Sequence, residues 1–425
     1  MAAPKITAPR GTADVYPPES AEWNRLEAQI RTLAHRFGYG EIRTPMFEAT
    51  ELFVRGVGET TDIVEKEMYT FVDKGGRSMT LRPEWTAPVV RAVLQHNLLA
   101  QGPLRLYYIG PFFRYERPQA GRYRQANQFG VECLGYGEPE ADVEVMQLAM
   151  QLVLQHGIAD AKLQINSIGD EGCRPAYRQA LLAYFRPHIA ALSGDSQRRL
   201  ERNPLRLLDS KSPEDAPFIA SAPKFIDYLC APCRAHFDAI VRYLDAAKVP
   251  YALDPLIVRG FDYYTRTVFE IRSEALGAQN ALCGGGRYDG LVESLGGPPT
   301  PAVGFGLGIE RFLMVLRARG GQGEPARSGF QAIALGERAR SFLTSIVAAL
   351  RGDGVMAFMD YGDRKLTAQF KAADRNGARY AVIVGDEELA KGEVVLRDLI
   401  ARSDRRIAAS TVEETARALV EAARE

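Results

Sequence analysis

The chain has 425 residues, 46% apolar and 25% charged, an ordinary globular balance that suggests neither disorder nor a fibre and a length that predicts two or three domains. Its 53 basic and 53 acidic side chains cancel, so bulk charge announces no nucleic-acid partner, although local basic surface governs such binding more than the total does. Five scattered cysteines suggest no disulfide framework, the first ten residues lack an apolar signal core, and no apolar run is long enough to span a bilayer, so a soluble, cytoplasmic protein with no membrane partner is expected.

The first block runs to residue 170. In it, Tyr16–Phe37 reads as a turn and an amphipathic helix, and Pro88–Leu99 as a short helix. Arg105–Ile109 and Phe112–Glu116 are aromatic-rich strand candidates, and Asp142–His156 is a longer helix. A second block, 171–249, is helical and interrupted by Pro175, Pro187, Pro204, Pro213 and Pro217. It reads as an insertion, because sheet signals resume at Ile257 and continue through Thr267–Ile271, Ala281–Gly286 and Pro301–Arg311, completing the first domain over 250–320. The glycine-rich Arg319–Ser328 reads as a linker. Beyond it, over 329–425, the strand runs Gln331–Leu335, Val355–Met359, Tyr380–Val384 and Val394–Leu396 alternate with helical patterns. That alternation predicts a compact α/β domain with a mostly parallel sheet, and Ser410 with Glu413 a capping box for its last helix.

Phosphate-binding devices narrow the chemistry. The Gly-rich loop ending in Lys-Ser/Thr is absent, since no Gly-Lys pair occurs in the chain. Gly304-Phe305-Gly306-Leu307-Gly308 approaches a dinucleotide fingerprint, but Ile309 stands where Gly or Ala is required. The segment reads better as a glycine-rich strand lying close to another backbone, ending in a helix near Ile309. Arginine is the other route to phosphate, because its planar fork pairs two oxygens at once. The run from Phe112 to Arg124 places Arg114, Arg117, Arg122 and Arg124 around a turn between strand-like flanks, a hairpin with a mobile basic tip. Such a hairpin sets Arg114 and Gln128 beside each other on one sheet face; a solvated basic loop is the competing reading. Two more segments carry chemistry: Val258–Tyr264, with an arginine beside a glycine and a tyrosine pair, and Cys283–Gly290, a glycine-dense turn that lets backbone approach a flat ligand. Cys230-Ala231-Pro232-Cys233, followed by His236, has metal-like spacing. A structural zinc needs four ligands and no second pair lies nearby in sequence, so this reads as a helix-start pair and no metal ligand is assigned.

Together these segments resemble the class II aminoacyl-tRNA synthetases, and within them the histidyl-tRNA synthetase family of bacterial type. Thr44-Pro45, after the strand-like Glu41–Arg43, resembles motif 1; Arg114–Glu132 resembles motif 2, and Gly304–Arg311 motif 3. Leu256–Tyr264 and Gly284–Gly290 resemble the two histidine-specific signatures, and Arg10-Gly11-Thr12 with Asp14 the family's opening. The resemblance implies an α+β fold: an antiparallel sheet flanked by helices (1–170 and 250–320), a helical insertion (171–249) and a C-terminal α/β anticodon-binding-like domain (329–425). It further implies a homodimer with motif 1 at the interface, and a histidine–tRNA ligase that activates L-histidine with ATP and Mg²⁺ before loading tRNA(His).

By the same resemblance, Arg114 and Arg259 approach the α-phosphate and Arg311 holds the far phosphates. Arg122 closes over the nucleotide, and Glu116 or a neighbouring carboxylate lies near Mg²⁺. Glu84, Thr86 and Gln128 match amino-group anchors, Glu132 and Tyr264 address the imidazole nitrogens, and Tyr263 and Tyr288 wall the pocket. Trp85 stands where bacterial members usually carry glycine, and it either packs outward or reshapes a pocket wall. Local readings compete: Glu84 as a carboxylate at a helix N-terminus, the tyrosine pair as strand aromatics. Glu132 in an apolar strand has no such bland account, since an unpaired buried carboxylate is costly. Rival functions are a non-catalytic synthetase paralogue regulating histidine biosynthesis, a class II ligase for threonine or proline, and an RNA-binding module.

Overall fold

The structure is a computed structural model that describes residues 5–58, 61–119, 121–210, 212–276, 281–320 and 327–421. Two compact units divide the chain, Met1–Gly320 and Gly321–Glu425. The boundary falls in the segment read as a linker, of which residues 321–326 lie outside the described residues.

The first unit opens with α1 (Glu19–Arg36), whose buried Trp23, Leu26, Ile30 and Leu33 recur at helical spacing. Then come β1 (Gly40–Glu41), β2 (Phe47–Ala49), α2 (Thr50–Val57), β3 (Tyr69–Val72), β4 (Ser78–Leu81) and α3 (Thr86–Gln95). The long strands β5 (Leu104–Phe113) and β6 (Gln125–Leu134) form an antiparallel hairpin, followed by α4 (Pro139–Gln155) and β7 (Lys162–Ser167). The helical stretch holds α5 (Arg174–Phe185), α6 (Gly194–Arg202), α7 (Ala216–Ala220) and α8 (Ala231–Ala246), joined by 3-10 turns. Pro175, Pro187, Pro204 and Pro217 each sit at the first or second position of a helix or turn. There a missing N–H costs nothing, so these prolines start elements rather than break them. The unit closes with β8 (Tyr251–Leu253), β9 (Thr265–Arg272), β10 (Ala281–Arg287), α9 (Leu291–Ser294), β11 (Ala302–Gly308) and α10 (Ile309–Ala318).

Three strand readings shift. Phe112–Glu116 is no separate strand, since β5 runs through Phe113 and pairing ends there. Ile257 lies between β8 and β9, its apolar signal arising from burial in the helical core rather than from strand pairing. The glycine-dense turn at Cys283–Gly290 is mostly strand, β10, and turns only after Arg287.

Eight strands form one sheet in the order β1-β5-β6-β11-β10-β9-β7-β8. Every junction from β5 to β7 is antiparallel, and the two outermost junctions are parallel. On one face, Phe129, Val131, Cys133, Val303, Phe305, Leu307, Phe269 and Ile271 pack against α1, α4, α8 and α10 as the main core. Each large apolar side chain buried there contributes roughly 1.5–3 kcal/mol. Strand alternation sends the intervening residues to the opposite face: Gln128 and Glu132 from β6, Gly304 and Gly306 from β11, Glu270 from β9. That face floors a cleft.

The second unit alternates β12 (Phe330–Leu335), α11 (Glu337–Gly352), β13 (Ala357–Met359), α12 (Leu366–Arg375), β14 (Tyr380–Gly385) and α13 (Asp386–Ala390). It then adds β15 (Glu393–Asp398), β16 (Ser403–Ala408) and α14 (Val412–Glu421). Its sheet runs β13-β12-β14-β15-β16. β12 is parallel to both neighbours, but the two remaining junctions are antiparallel, so the sheet is mixed rather than mostly parallel. Ser410 lies inside the 3-10 turn Ala409–Thr411 that precedes α14, one residue short of the cap position.

Candidate active site

Every site residue read from the sequence lines one cleft of about 1430 Å³. Glu84, Trp85 and Thr86 come from the start of α3; Arg114, Glu116 and Arg122 from the β5–β6 connection; Gln128 and Glu132 from β6. Arg259, Tyr263 and Tyr264 come from the segment before β9, Tyr288 from the end of β10, and Arg311 from the first turn of α10.

Glycines make the floor. A Cβ at Gly304 would collide with the Glu132 carboxylate, one at Gly306 with the Gln128 amide, and one at Gly284 with the Arg259 guanidinium. The Gly-x-Gly-x-Gly run of β11 therefore clears space for functional side chains on the neighbouring strand, with period two, and has no phosphate-loop geometry.

Part of the cleft is a buried polar pocket. Glu132 is buried; its Oε1 accepts from Thr86 Oγ1 at 2.8 Å, and its Oε2 accepts from the Tyr288 hydroxyl. Burial pushes its carboxyl up to about 8, against the hydrogen bonds from Tyr288 and Thr86 that lower it. Glu84 caps α3, its oxygens accepting from the backbone N–H of Thr86 at 2.7 Å and of Ala87 at 2.8 Å. Burial raises Glu84 too, opposed by those backbone bonds. Gln128 does not lie beside Arg114: register pairs it with Gly110, while the Arg114 N–H bonds the Arg124 carbonyl. The two share a sheet face and a cleft, several residues apart.

Trp85 resolves toward packing. It is buried, stacked on Tyr108 with centroids 4.5 Å apart, and covered by the Arg82 guanidinium 3.3 Å from its ring. Gly110 makes the room, because a Cβ there would lie 2.9 Å from the indole. Tyr108 in turn brings its hydroxyl to 3.4 Å from Gln128 Oε1. Tyr108 is a cleft residue that the sequence reading passed over, its only signal being an aromatic on the same strand face as Gly110.

Cations converge in the same cleft. Arg259 Nη1 lies 2.5 Å from Glu270 Oε1, and its buried Nε has no hydrogen-bond partner among the described residues. Arg114 Nε donates to the Pro83 carbonyl at 2.8 Å, and Arg122 Nη1 is 3.2 Å from Glu116 Oε2. Arg311 donates to the carbonyls of Ala281 at 2.8 Å and Gly121 at 3.2 Å. Burial and then the like charge of Arg122 lower its proton affinity, as expected of cations gathered for a polyanion. Glu67 is raised by burial and by the charge of Glu116, against the lowering charge of Arg114. Glu270 and Glu310 were also missed; the latter accepts from the Asn127 backbone N–H at 2.8 Å and pins β6 to α10.

Arg287, within the glycine-rich signature, points out of the cleft. Fully buried, it pairs with Asp142 and donates to the Tyr136 carbonyl at 2.9 Å, anchoring the chain ahead of Tyr288. Burial alone would raise Asp142, but the Arg287 charge overrides it and the carboxyl falls to about 2.

Comparison with known proteins bears on this arrangement. A family model described as histidyl-tRNA synthetase matches residues 11–312. The chain belongs to the histidyl-tRNA synthetase family. Members of the histidyl-tRNA synthetase family are aminoacyl-tRNA ligases, and this chain is one of them. An anticodon binding domain model matches residues 331–419. The histidine–tRNA ligase of Desulforudis audaxviator is 50% identical over 413 residues, spanning 97% of this chain and 98% of the relative. That of Geobacillus kaustophilus is 52% identical over 397 residues, spanning 92% and 93%. Among solved structures, apo histidyl-tRNA synthetase from S. aureus superposes with a TM-score of 0.82 at 38% identity, covering 97% of this chain and 100% of that one. A Bacillus halodurans structure titled as an ATP phosphoribosyltransferase regulatory subunit/histidyl-tRNA synthetase matches at 23% identity and a TM-score of 0.62, a likeness of fold alone. The full-length ligase matches, anticodon unit included, favour a ligase over a regulatory paralogue. Among the described residues, no helix is long and apolar enough to cross a membrane.

Proposed function

We propose that this cleft activates L-histidine with ATP and that the enzyme, a cytoplasmic homodimer, then loads the amino acid onto tRNA(His). The observation that carries the reading is convergence: Arg114, Arg259 and Arg311, from three separate segments, meet in the cleft that also holds the Glu132–Thr86–Tyr288 cluster.

The histidine carboxylate attacks the α-phosphorus of ATP, the bond to the β-phosphate bridging oxygen breaks, and pyrophosphate leaves. A ribose hydroxyl at the tRNA 3′ end then attacks the acyl carbon of the adenylate, releasing AMP. Both first-step reactants are anions, so neutralising the pentavalent phosphorus is the main electrostatic need. Arg114 and Arg259 meet that need at the α-phosphate, Arg311 holds the far phosphates, and Arg122 closes over the nucleotide. Arg259 leaves Glu270 for the phosphate or shares itself between them. Synthetases of this class use ATP and typically Mg²⁺. The carboxylates of Glu67 and Glu116, close enough for the one charge to raise the other, suit a hard divalent cation and would hold it beside the phosphates. When bound, it neutralises triphosphate charge.

No nucleophilic side chain is required, and positioning supplies much of the acceleration. An imidazole N–H meets Glu132, Tyr264 addresses the ring's other nitrogen, and Tyr263 and Tyr288 wall the ring. The ammonium group lies among Glu84, Thr86 and Gln128, with Trp85 fixing that wall from behind through Tyr108. A site built from hydrogen-bonding groups rejects analogues lacking them by about 10⁴-fold, so no editing step is needed. The second unit reads the anticodon; its 82% exposed Tyr361, three residues before Arg364 and four before Lys365 in sequence, offers a stacking ring in a basic segment.

ATP–pyrophosphate exchange across the amino acids tests the reading, with charging of tRNA(His) as its second arm. Exchange should be confined to histidine. Arg259→Ala should cut it by about 10²–10³-fold with histidine affinity changed far less; near-normal turnover in that variant, or exchange with threonine or proline, would reject the assignment.

A further inference from the structure

Outside the cleft, the fold assembles a second set of chemistry-bearing side chains. Asp170 and Cys173 lie in the turn that leads from β7 into α5, while Cys230 immediately precedes α8 and Cys233 sits in its first turn. One carboxylate oxygen and three sulfurs from these residues all lie within 4.8 Å of one another. Among the described residues, no other His, Cys, Asp and Glu side chains gather this way. All five cysteines are free thiols, so none of the three is taken by a disulfide. The pair at 230 and 233, isolated in sequence, acquires its second pair only through folding. His236 does not join it, its Nε2 lying 3.4 Å from Asp142 instead.

The surroundings suit a cation-bound thiolate cluster. Cys173 Sγ is 3.5 Å and Cys230 Sγ 3.8 Å from Asp170 Oδ1. The Cys230 backbone N–H donates to Cys173 Sγ at 3.1 Å, and the Gly172 N–H donates to Asp170 Oδ1 at 3.1 Å. Such backbone donors orient ligands from outside. Arg266 Nη2 stands 3.7 Å from Asp170 Oδ2, and α5 and α8 both start at the cluster, so their positive ends offset its negative charge.

We propose that Asp170, Cys173, Cys230 and Cys233 bind one structural Zn²⁺. Three thiolates select a borderline-soft ion, and four protein ligands close the tetrahedron with no position left for a reacting water. Zinc–sulfur bonds of about 2.3 Å put ligand atoms about 3.8 Å apart, a contraction of about 1 Å at the widest. The ion pins the entry and the exit of the helical segment between β7 and α8. Arg174, next to Cys173, donates to the Tyr264 carbonyl, so the pinned corner also backs the cleft wall. None of this depends on which amino acid the cleft activates.

Full-length protein purified without chelator should carry about one zinc per chain by elemental mass spectrometry, released when an organomercurial blocks the thiols. Co²⁺ in its place should give thiolate charge-transfer absorption and intense tetrahedral bands. Cys230→Ser and Cys233→Ser should each lower bound zinc by at least about tenfold. Asp170→Cys should keep the metal and strengthen the Co²⁺ charge-transfer band, a readout that does not rely on a damaged variant. The proposal is overturned by less than about a tenth of an equivalent of zinc after incubation with Zn²⁺, by a Co²⁺ spectrum indifferent to Cys173→Ser, or by a native mass short of two hydrogens that maps to a Cys230–Cys233 disulfide.

Discussion

Burial holds the Glu132 carboxyl up to about 8, so the fold favours its neutral form. A carboxyl raised in this way contributes stability that is full below its ordinary value of 4.5, erodes as pH climbs, and is gone above about 8. Unfolding free energies from urea titrations of the protein alone should fall between pH 5 and pH 8.5 by an amount on the order of a few kcal/mol, and Glu132→Gln should flatten most of that slope. Glu84 and Glu310, also raised by burial, leave a residue of it. The same variant should weaken histidine binding by about 10–100-fold, because an imidazole N–H in the pocket draws the carboxyl into its charged form and an amide cannot follow. An unchanged slope would mean that the carboxyl is already ionised, and the account of its burial would be wrong. Glu132 was legible from sequence because a carboxylate amid Val131 and Cys133 has to be paired by something. Its partners, Thr86 and Tyr288, were legible only through the family resemblance, being 46 and 156 residues away.

Strand β11 shows why glycine-rich sequence misleads when taken as a loop. Its glycines alternate with Val303, Phe305 and Leu307, which enter the main core, so one strand carries an apolar face and a face with no side chains. Two substitutions separate space for function from space for folding. At Gly306 the first atom a Cβ meets is the end of the flexible Gln128 side chain, whereas at Gly130 it meets the Tyr108 hydroxyl and, at 2.6 Å, the Phe305 backbone carbonyl. Gly306→Ala should leave the melting temperature nearly unchanged while raising the histidine KM about tenfold or more. Gly130→Ala should destabilise the protein by roughly 1–3 kcal/mol, since backbone cannot swing aside. Equal stability of the two variants in thermal melts would contradict this division. The same physics explains the elements that the sequence hid: β16 is a polar edge strand whose Ser-Asp-Arg-Arg start shows no apolar alternation, and Ile257 is buried without being paired. The Asp170–Cys173 turn was invisible as a partner of Cys230 because nothing local in either segment encodes their meeting.

In the whole molecule, the segment that resembles motif 1 connects to the cleft through a short chain of contacts. Arg82 donates to the Thr44 carbonyl at 2.9 Å and to the Pro45 carbonyl at 3.2 Å, and lies over Trp85, which stacks on Tyr108, which reaches Gln128. Directly after Pro45, the sheet β2-β4-β3 leaves Met46 at 52%, Phe47 at 51%, Phe71 at 43% and Val72 at 70% exposed, the two phenylalanine rings in contact at 6.3 Å. Three short strands with an uncovered apolar patch are marginal alone, and a second copy of the chain is the occupant that a homodimer would supply. Phe47→Asp combined with Val72→Asp should therefore weaken self-association by at least about a hundredfold, giving monomers by light scattering at micromolar concentration. If the chain through Arg82 matters, these monomers should also lose histidine activation, although neither substituted residue lines the cleft. A double variant that stays dimeric would place the interface elsewhere, and one that becomes monomeric with exchange activity intact would show that Arg82 and Trp85 hold the pocket without help from a partner.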